Sequence, residues 1–395
     1  MDWSTTPPRV PRCPPVALAL QGGGSHGAFT WGVLDRLLEE VGNDGLRIDA
    51  ISGSSAGAIN GALCTLGLAD AMNPEGAARA RRLLSRFWES VGERALLGGN
   101  ALLGGYVPTP WKGWNIDWSP TALALEMASL VFSPYDYPFY SNPLLPLLQE
   151  VFTAEALKRL NGSASPKLHV CAVDVATNQR RLFSQPHIGT DTLLASACVP
   201  TQFQSATIDG TTYWDGGYMG NPALQPLVTK SQDIIIVMIN PLHITDVPPR
   251  TARQILDRLN EITLNTPLVL EIDAVHTVNK LLGKLPGAQA KATGYQQVRL
   301  HFICNERYMQ GLGAVGKSNA TPTFIHALFD AGRETAERWL RRSHAHIGRF
   351  STCDWSEDGR VDVGAEVVDP VLRGAPRPTR SPGGSRPAGD KITIT

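Results

Sequence analysis

The sequence predicts an α/β protein with a mostly parallel sheet. Short apolar runs alternate with stretches of helical period, and the plainest runs are apolar at every position, as strands covered on both faces are. A chain of 395 residues, 43% hydrophobic and 18% charged, also has enough apolar material for a sizeable core.

Val16–Leu20 is the first strand and stops at Gln21-Gly22-Gly23-Gly24. Phe29, Val33, Leu34, Leu37 and Leu38 then recur at spacings of three and four, which predicts a helix. Ile48–Ser52 is a second strand, halted by Gly53, and Ala56–Leu66 reads as a small-residue helix. Leu168–Val175 is a buried strand that the turn at Asn178-Gln179 folds back onto Arg181–Phe183. Asp209-Gly210 between Thr207-Ile208 and Thr211–Trp214 is a two-residue hairpin signal. Ile234–Ile239 and Val298–Ile303 are further strands, and Thr251–Leu282 and Thr323–Arg342 fit long amphipathic helices.

Three parts follow from composition. Residues 1–15 are a Pro-rich arm with five prolines. Residues 16–370 form the folded domain, with its motifs within 16–240 and a helical extension over 241–370. Residues 371–395 carry Pro, Gly, Ser and Arg with little to bury, and read as a disordered tail. Residues 95–118 stand apart, because Trp111, Trp114 and Trp118 lie in a Gly- and Pro-rich stretch without period. A lid or interfacial loop is one reading; an aromatic cluster packing a long loop onto the core is favoured.

The charge balance excludes one class of partner. With 36 Lys+Arg against 36 Asp+Glu the formal net charge is zero, which gives no electrostatic reason to expect nucleic acid. Six cysteines (Cys13, Cys64, Cys171, Cys198, Cys304 and Cys353) are scattered without a C-x-x-C pair. That argues against a structural zinc site and a disulfide scaffold, and fits a reducing compartment. The start has no apolar signal core, and no run approaches the ~18 residues of a membrane span. The expected location is the cytoplasm, with peripheral contact to a membrane left open.

Two motifs carry chemistry. Gly22-Gly23-Gly24-Ser25-His26-Gly27 follows a strand and opens a helix. It satisfies G-x-G-x-x-G, but a dinucleotide site also needs an acid at the end of the second strand, and here that strand ends in Gly-Ser-Ser-Ala-Gly. The alternative use of such a turn is to aim backbone N–H groups at an anion or an oxyanion. Gly53-Ser54-Ser55-Ala56-Gly57 is G-x-S-x-G between strand and helix, and its spacing names Ser55, not Ser54, as the candidate nucleophile. A serine needs a base. His243, His276, His301 and His326 lie late enough in the chain for a histidine triad but stand in no distinctive loop. Asp215 opens Asp215-Gly216-Gly217 at a strand end, where two glycines free the backbone to bring the carboxylate close to another loop.

Together these residues resemble the patatin-like phospholipases. The likeness rests on Gly22-Gly23-Gly24-x-x-Gly27, Gly53-x-Ser55-x-Gly57 and Asp215-Gly216-Gly217. Ala195-Ser196-Ala197-Cys198-Val199-Pro200 is similar to the family's Ala-Ser-x-x-x-Pro segment, and Asn221-Pro222 also fits. The likeness spans about residues 16–240. It implies a three-layer α/β/α fold with a mostly parallel central sheet and, in this chain, added C-terminal helices. It also implies a Ser–Asp dyad without histidine. Asp215 would take the proton of Ser55, Gly22, Gly23 and Gly24 would form the oxyanion hole, and an acyl-serine would be hydrolysed by water. The substrate would be a phospholipid or another acyl ester, with no metal or other cofactor. Two departures stand out: His26, titrating near pH 6.5, where the family often has Arg or Lys, and Gln21 where some relatives carry an acid. A non-lipid esterase or thioesterase, and a non-catalytic binding protein on the same fold, are the competing readings.

Overall fold

The computed structural model describes residues 15–97, 114–117, 119, 131–136, 141–163, 166–244, 247–355 and 361–362. The expected N-terminal arm lies almost wholly outside the described residues, and the expected tail, Trp111 and Trp118 lie outside them altogether.

The described strands of the main sheet are β1 (Pro15–Leu20), β2 (Arg47–Ser54), β3 (Lys167–Asp174), β4 (Gln179–Ser184), β5 (Ala206–Ile208), β6 (Thr211–Asp215), β7 (Asp233–Val237) and β8 (Arg299–Ile303). Their order is β5-β6-β3-β2-β1-β7-β8, with β4 also paired to β3. The central pairs β3-β2, β2-β1, β1-β7 and β7-β8 are parallel. The mostly parallel sheet expected from the fully apolar runs is therefore present.

The described helices are α1 (Gly27–Gly42), α2 (Ala56–Leu68), α3 (Pro74–Leu97), α4 (Leu144–Val151), α5 (Ala154–Gly162), α6 (Thr190–Ser196), α7 (Gln225–Val228), α8 (Ala252–Lys284), α9 (Gly287–Ala292), α10 (Glu306–Gln310) and α11 (Pro322–Ser343). Side chains alternate along β1 to build the layers. Val16, Leu18 and Leu20 face a core shared with α1, α2, α3 and α11. Ala17 and Ala19 face the other side, toward Leu224, just before α7, Leu227 of α7, and Leu268 and Ile272 of α8. The small alanines let that second layer of helix approach closely.

Several boundaries differ from the sequence reading. The strand expected to halt at Gly53 runs on to Ser54, because Gly53 pairs with both Leu20 and Val170 and so belongs to the ladder. The strand expected over Ile234–Ile239 ends at Val237, where the chain turns toward Gln21. α3 continues to Leu97, into the stretch expected to be irregular from residue 95. Trp114 packs on Phe324 with ring centroids 5.4 Å apart, the core-packing role favoured for it.

One register positions the site. β4 covers His169–Asp174 along one edge of β3. On the other edge β2 and β6 meet end to end, with Ser54 opposite Cys171 and Asp215 opposite Ala172.

Candidate active site

The site lies where the parallel strands β1 and β2 end, the usual place for ligands in an open α/β sheet. The expected nucleophile occupies the residue between β2 and α2. Ser55 has φ 53° and ψ −127°, a positive-φ backbone that costs on the order of 1–3 kcal/mol for a residue with a Cβ. The turn is held by its surroundings: the Ser55 amide donates to the Ser196 hydroxyl at 2.9 Å. Gly57, in the first turn of α2, has no room for a side chain, since a Cβ would lie 2.2 Å from the Leu20 carbonyl oxygen. Ser54 is fully buried and its hydroxyl donates to the Gly220 carbonyl. It is therefore engaged structurally, and Ser55 is the serine that faces the acid.

That acid is Asp215, at the end of β6 and 4% exposed. Its carboxylate accepts from the Gly217 amide at 2.7 Å, and its own amide donates to the Cys198 carbonyl at 2.9 Å. The Ser55 side chain lies close enough to the same carboxylate to act on it. Burial pushes the Asp215 carboxyl up to about 6, opposed by the Gly217 amide, by Ser55 and by the positive charge of Lys317. Gly216, which follows it, packs against the Cys171 carbonyl on β3.

The glycine loop closes the third side. A Cβ on Gly22 would lie 2.5 Å from the Ser54 carbonyl oxygen and 2.7 Å from Ser55 Cβ, so only glycine lets the loop touch the serine turn. The Gly22 amide donates to Asn221 Oδ1 at 2.7 Å. This uses its N–H, and leaves Gly23 and Gly24, whose amides make no hydrogen bond among the described residues. Gly24–His26 forms a short 3-10 turn leading into α1, and Gly27 packs against Ala56 and Trp88.

Gln21 ties these parts together. It is fully buried, its Oε1 accepts from the Ile239 and Asn240 amides at 2.9 Å each, and its Nε2 donates to Asn265 Oδ1 at 3.0 Å and the Asn221 carbonyl at 3.2 Å. An acid at this position has no N–H for the last two. The departure seen in the sequence is therefore a set of bonds that joins β1, β7, α8 and the segment after Asp215.

His26 does not behave as an ordinary histidine. It is 2% exposed, neither ring nitrogen has a partner among the described residues, and burial beside Lys317 lowers it to about 3. It is neutral at physiological pH. Three of the four late histidines are held elsewhere. His301 sits on β8 and bonds Asp233, at the opposite end of β7, at 3.0 Å, and His243 pairs with Glu306 at 3.1 Å. His326 lies beside Trp31. Among the described residues no histidine bonds Ser55 or Asp215. Cys171 and Cys198 are held as thiols, pushed up to about 12 chiefly by burial.

Sequence reasoning missed Ser196, which sat inside a recognised segment without a role, along with Asn240 and Lys317. Asn240 donates to the Gly22 carbonyl at 3.1 Å. Lys317 stands in a stretch with neither period nor motif. Among the described residues no group of three or more His, Cys, Asp or Glu side chains is arranged to hold a metal ion. No described helix is long and apolar enough to cross a membrane.

Comparison with known proteins adds two findings. Among solved structures, the crystal structure of VipD from Legionella pneumophila is similar at 13% identity, covering 85% of this chain and 68% of that chain with a TM-score of 0.37. No curated protein matches the chain. The family model for patatin-like phospholipase matches residues 18–228, more than half of the sequence and the span that holds the glycine loop, the serine turn and the Asp-Gly-Gly segment. The chain belongs to the patatin-like phospholipase family.

Proposed function

We propose that the protein is a serine lipid acyl hydrolase that cleaves carboxylic esters with Ser55 as nucleophile and Asp215 as general base. The family implies a lipid acyl hydrolase. The observation that carries the finer reading is the position of the Ser55 side chain, on its positive-φ turn, where it acts on the dry Asp215 carboxylate. A carboxyl that titrates near 6 is largely ionised at neutral pH yet far more basic than a solvated aspartate, which suits a general base.

In this reading Asp215 accepts the Ser55 proton as Oγ attacks the ester carbonyl. The Gly23 and Gly24 amides receive the oxyanion, each such donor typically being worth about 3–4 kcal/mol in acyl transfer. The leaving alcohol takes the proton from Asp215, and an acyl-serine remains. Asp215 then draws a proton from water, whose oxygen attacks the acyl carbon; the proton returns to Ser55 as the carboxylic acid leaves. Cys171 and Cys198, protonated at this pH, do not compete as nucleophiles. Phospholipid or another acyl lipid is the substrate class, and contact with a lipid surface belongs to the same proposal.

Labelling with a fluorophosphonate probe tests the assignment. The wild type is expected to label, Ser55→Ala to lose the label, and Asp215→Asn to label far more slowly. Label retained on Ser55→Ala overturns the nucleophile; an unimpaired Asp215→Asn overturns the base. Turnover of a soluble acyl thioester or short ester, with none of micellar phospholipid, favours the non-lipid reading.

A further inference from the structure

The region after the family match reaches the reacting groups. A 3-10 turn, Val315–Ser318, packs on the glycine turn Gly24–His26. Gly24 has φ +56°, and a Cβ on it would lie 2.3 Å from the Lys317 carbonyl oxygen. Gly316 abuts His26 in the same way, 2.9 Å from a Cβ position to Nε2. The glycine loop is thus laid directly on the backbone of residues 316–317.

The Lys317 side chain runs to α8, where Nζ donates to Asn260 Oδ1 at 2.5 Å. Asn260 is neutral, and among the described residues no carboxylate lies within ion-pair distance of the ammonium. One helical turn further on, Leu264 lies 3.2 Å from a Cβ position on Gly217, the residue whose amide binds Asp215. The ammonium is therefore fixed on the face of α8 that covers Asp215. Its charge acts on Asp215 and on His26; burial lowers the ammonium to about 8, so it is charged over the range where Asp215 titrates.

We propose that Lys317 is a positioning residue for the hydrolysis, a fixed cation that holds Asp215 as a carboxylate while its backbone seats the oxyanion turn. The proposal rests on Asp215 being the base. The charged and titratable groups that face this cation are Asp215 from β6, His26 from the glycine turn, and Asp257 and Glu261 from α8. Behind them Asp117 acts on Asp257, Arg258 pairs with Glu261, and Tyr218 stands beside Asp215. A cation near a carboxylate favours its charged form, so removing it raises the pH at which the base becomes available.

The test is the pH profile of kcat/KM on a soluble monomeric ester for wild type, Lys317→Met, Lys317→Arg and Asp257→Asn. Wild type is expected to lose activity on the acid side with a midpoint near the Asp215 value. Lys317→Met is expected to move that limb up by about half to one pH unit, leaving activity at pH 6 about 2- to 5-fold low and activity at pH 8.5 near that of wild type. Lys317→Arg should return the limb to the wild-type position. A uniform loss at all pH values in Lys317→Met, with the limb unmoved, assigns Lys317 a structural role and overturns the proposal. So does an equal upward shift in Asp257→Asn. If Lys317→Met does not fold, Lys317→Arg decides alone: a limb shifted away from wild type overturns the proposal and a retained limb supports it. Failure of Asp215 as base appears separately, as an unimpaired Asp215→Asn enzyme.

Discussion

The Gly22 amide donates to the Asn221 side-chain oxygen at 2.7 Å, and the Asn221 amide returns to the Gly22 carbonyl at 3.4 Å. This pair joins the end of β1 to the segment that follows Asp215, across 199 positions of sequence. It fixes the glycine loop relative to the acid. Asn221→Ala removes both bonds in a fully buried place. The expected cost is about 1–3 kcal/mol in urea denaturation, since the Gly22 N–H is left without an acceptor. A loosened loop also predicts a fall in kcat of at least about ten-fold with a smaller change in KM. Unchanged stability would show that water replaces the side chain and that the loop is held elsewhere.

Gln21 makes the larger contribution. Its Oε1 serves two backbone amides and its Nε2 serves two oxygens. Gln21→Leu keeps the volume and removes these four bonds and a fifth, from Asn240 Nδ2 to Oε1, and a loss of about 3–5 kcal/mol follows from stranding buried backbone donors. Gln21→Glu keeps the acceptor and loses the donor, setting a carboxylate against the Asn221 carbonyl. Its melting temperature is expected to rise as pH falls toward 5, where protonation supplies one O–H. A Gln21→Glu protein with the same pH dependence as wild type would refute this.

The sheet was legible because its signals are local. Val16–Leu20 and Ile234–Val237 are apolar at every position, and the Asp209-Gly210 hairpin has φ 48° and 78°, the positive values that residue pair tolerates. Ser55 and Asp215 were legible because glycines at fixed offsets mark tight turns. The family likeness then joined them, which spacing alone left open among four histidines and an acid. What could not be read depends on partners far away in sequence. Lys317 is an isolated lysine until α8 brings Asn260 to it. Gln21 looked like a substitution at the end of a strand until Asn221, Asn240 and Asn265 surrounded it. Ser196 had a motif but no partner, because its hydroxyl acts on the Ser55 amide 141 residues earlier. Composition and period carry no record of such pairs.

The positive-φ turn at Ser55 predicts a separation of stability from activity. Ser55→Ala and Ser55→Gly both remove the hydroxyl, so both should lose activity and fluorophosphonate labelling. They differ in backbone freedom alone, because alanine keeps the strain at φ 53° and glycine does not. Ser55→Gly is expected to be the more stable of the two by about 1–2 kcal/mol in chemical denaturation. Equal stabilities would show that the turn carries no such strain.

Asp215→Asn completes the set, because its effect on stability must change with pH. Folding raises the Asp215 carboxyl from 3.8 to about 6, so the folded protein binds that proton more tightly than the unfolded chain. Between those values stability falls as pH rises, and above about 6 the full penalty of a buried charge is present. Asparagine carries no charge and still offers an oxygen to the Gly217 amide. At pH 8 the variant is therefore expected to be more stable than wild type by on the order of 1–3 kcal/mol, while being inactive. Near pH 4 most of that advantage should be gone, and well below 3.8, where the wild-type carboxyl is protonated in both states, it should vanish. Other carboxylates titrate alike in the two proteins, so the difference between them isolates this group. Thermal melts of both proteins at pH 4 and pH 8 check it. A difference of the same size at both pH values would mean that Asp215 is not desolvated as a carboxylate, and with it would go the reason for its basicity.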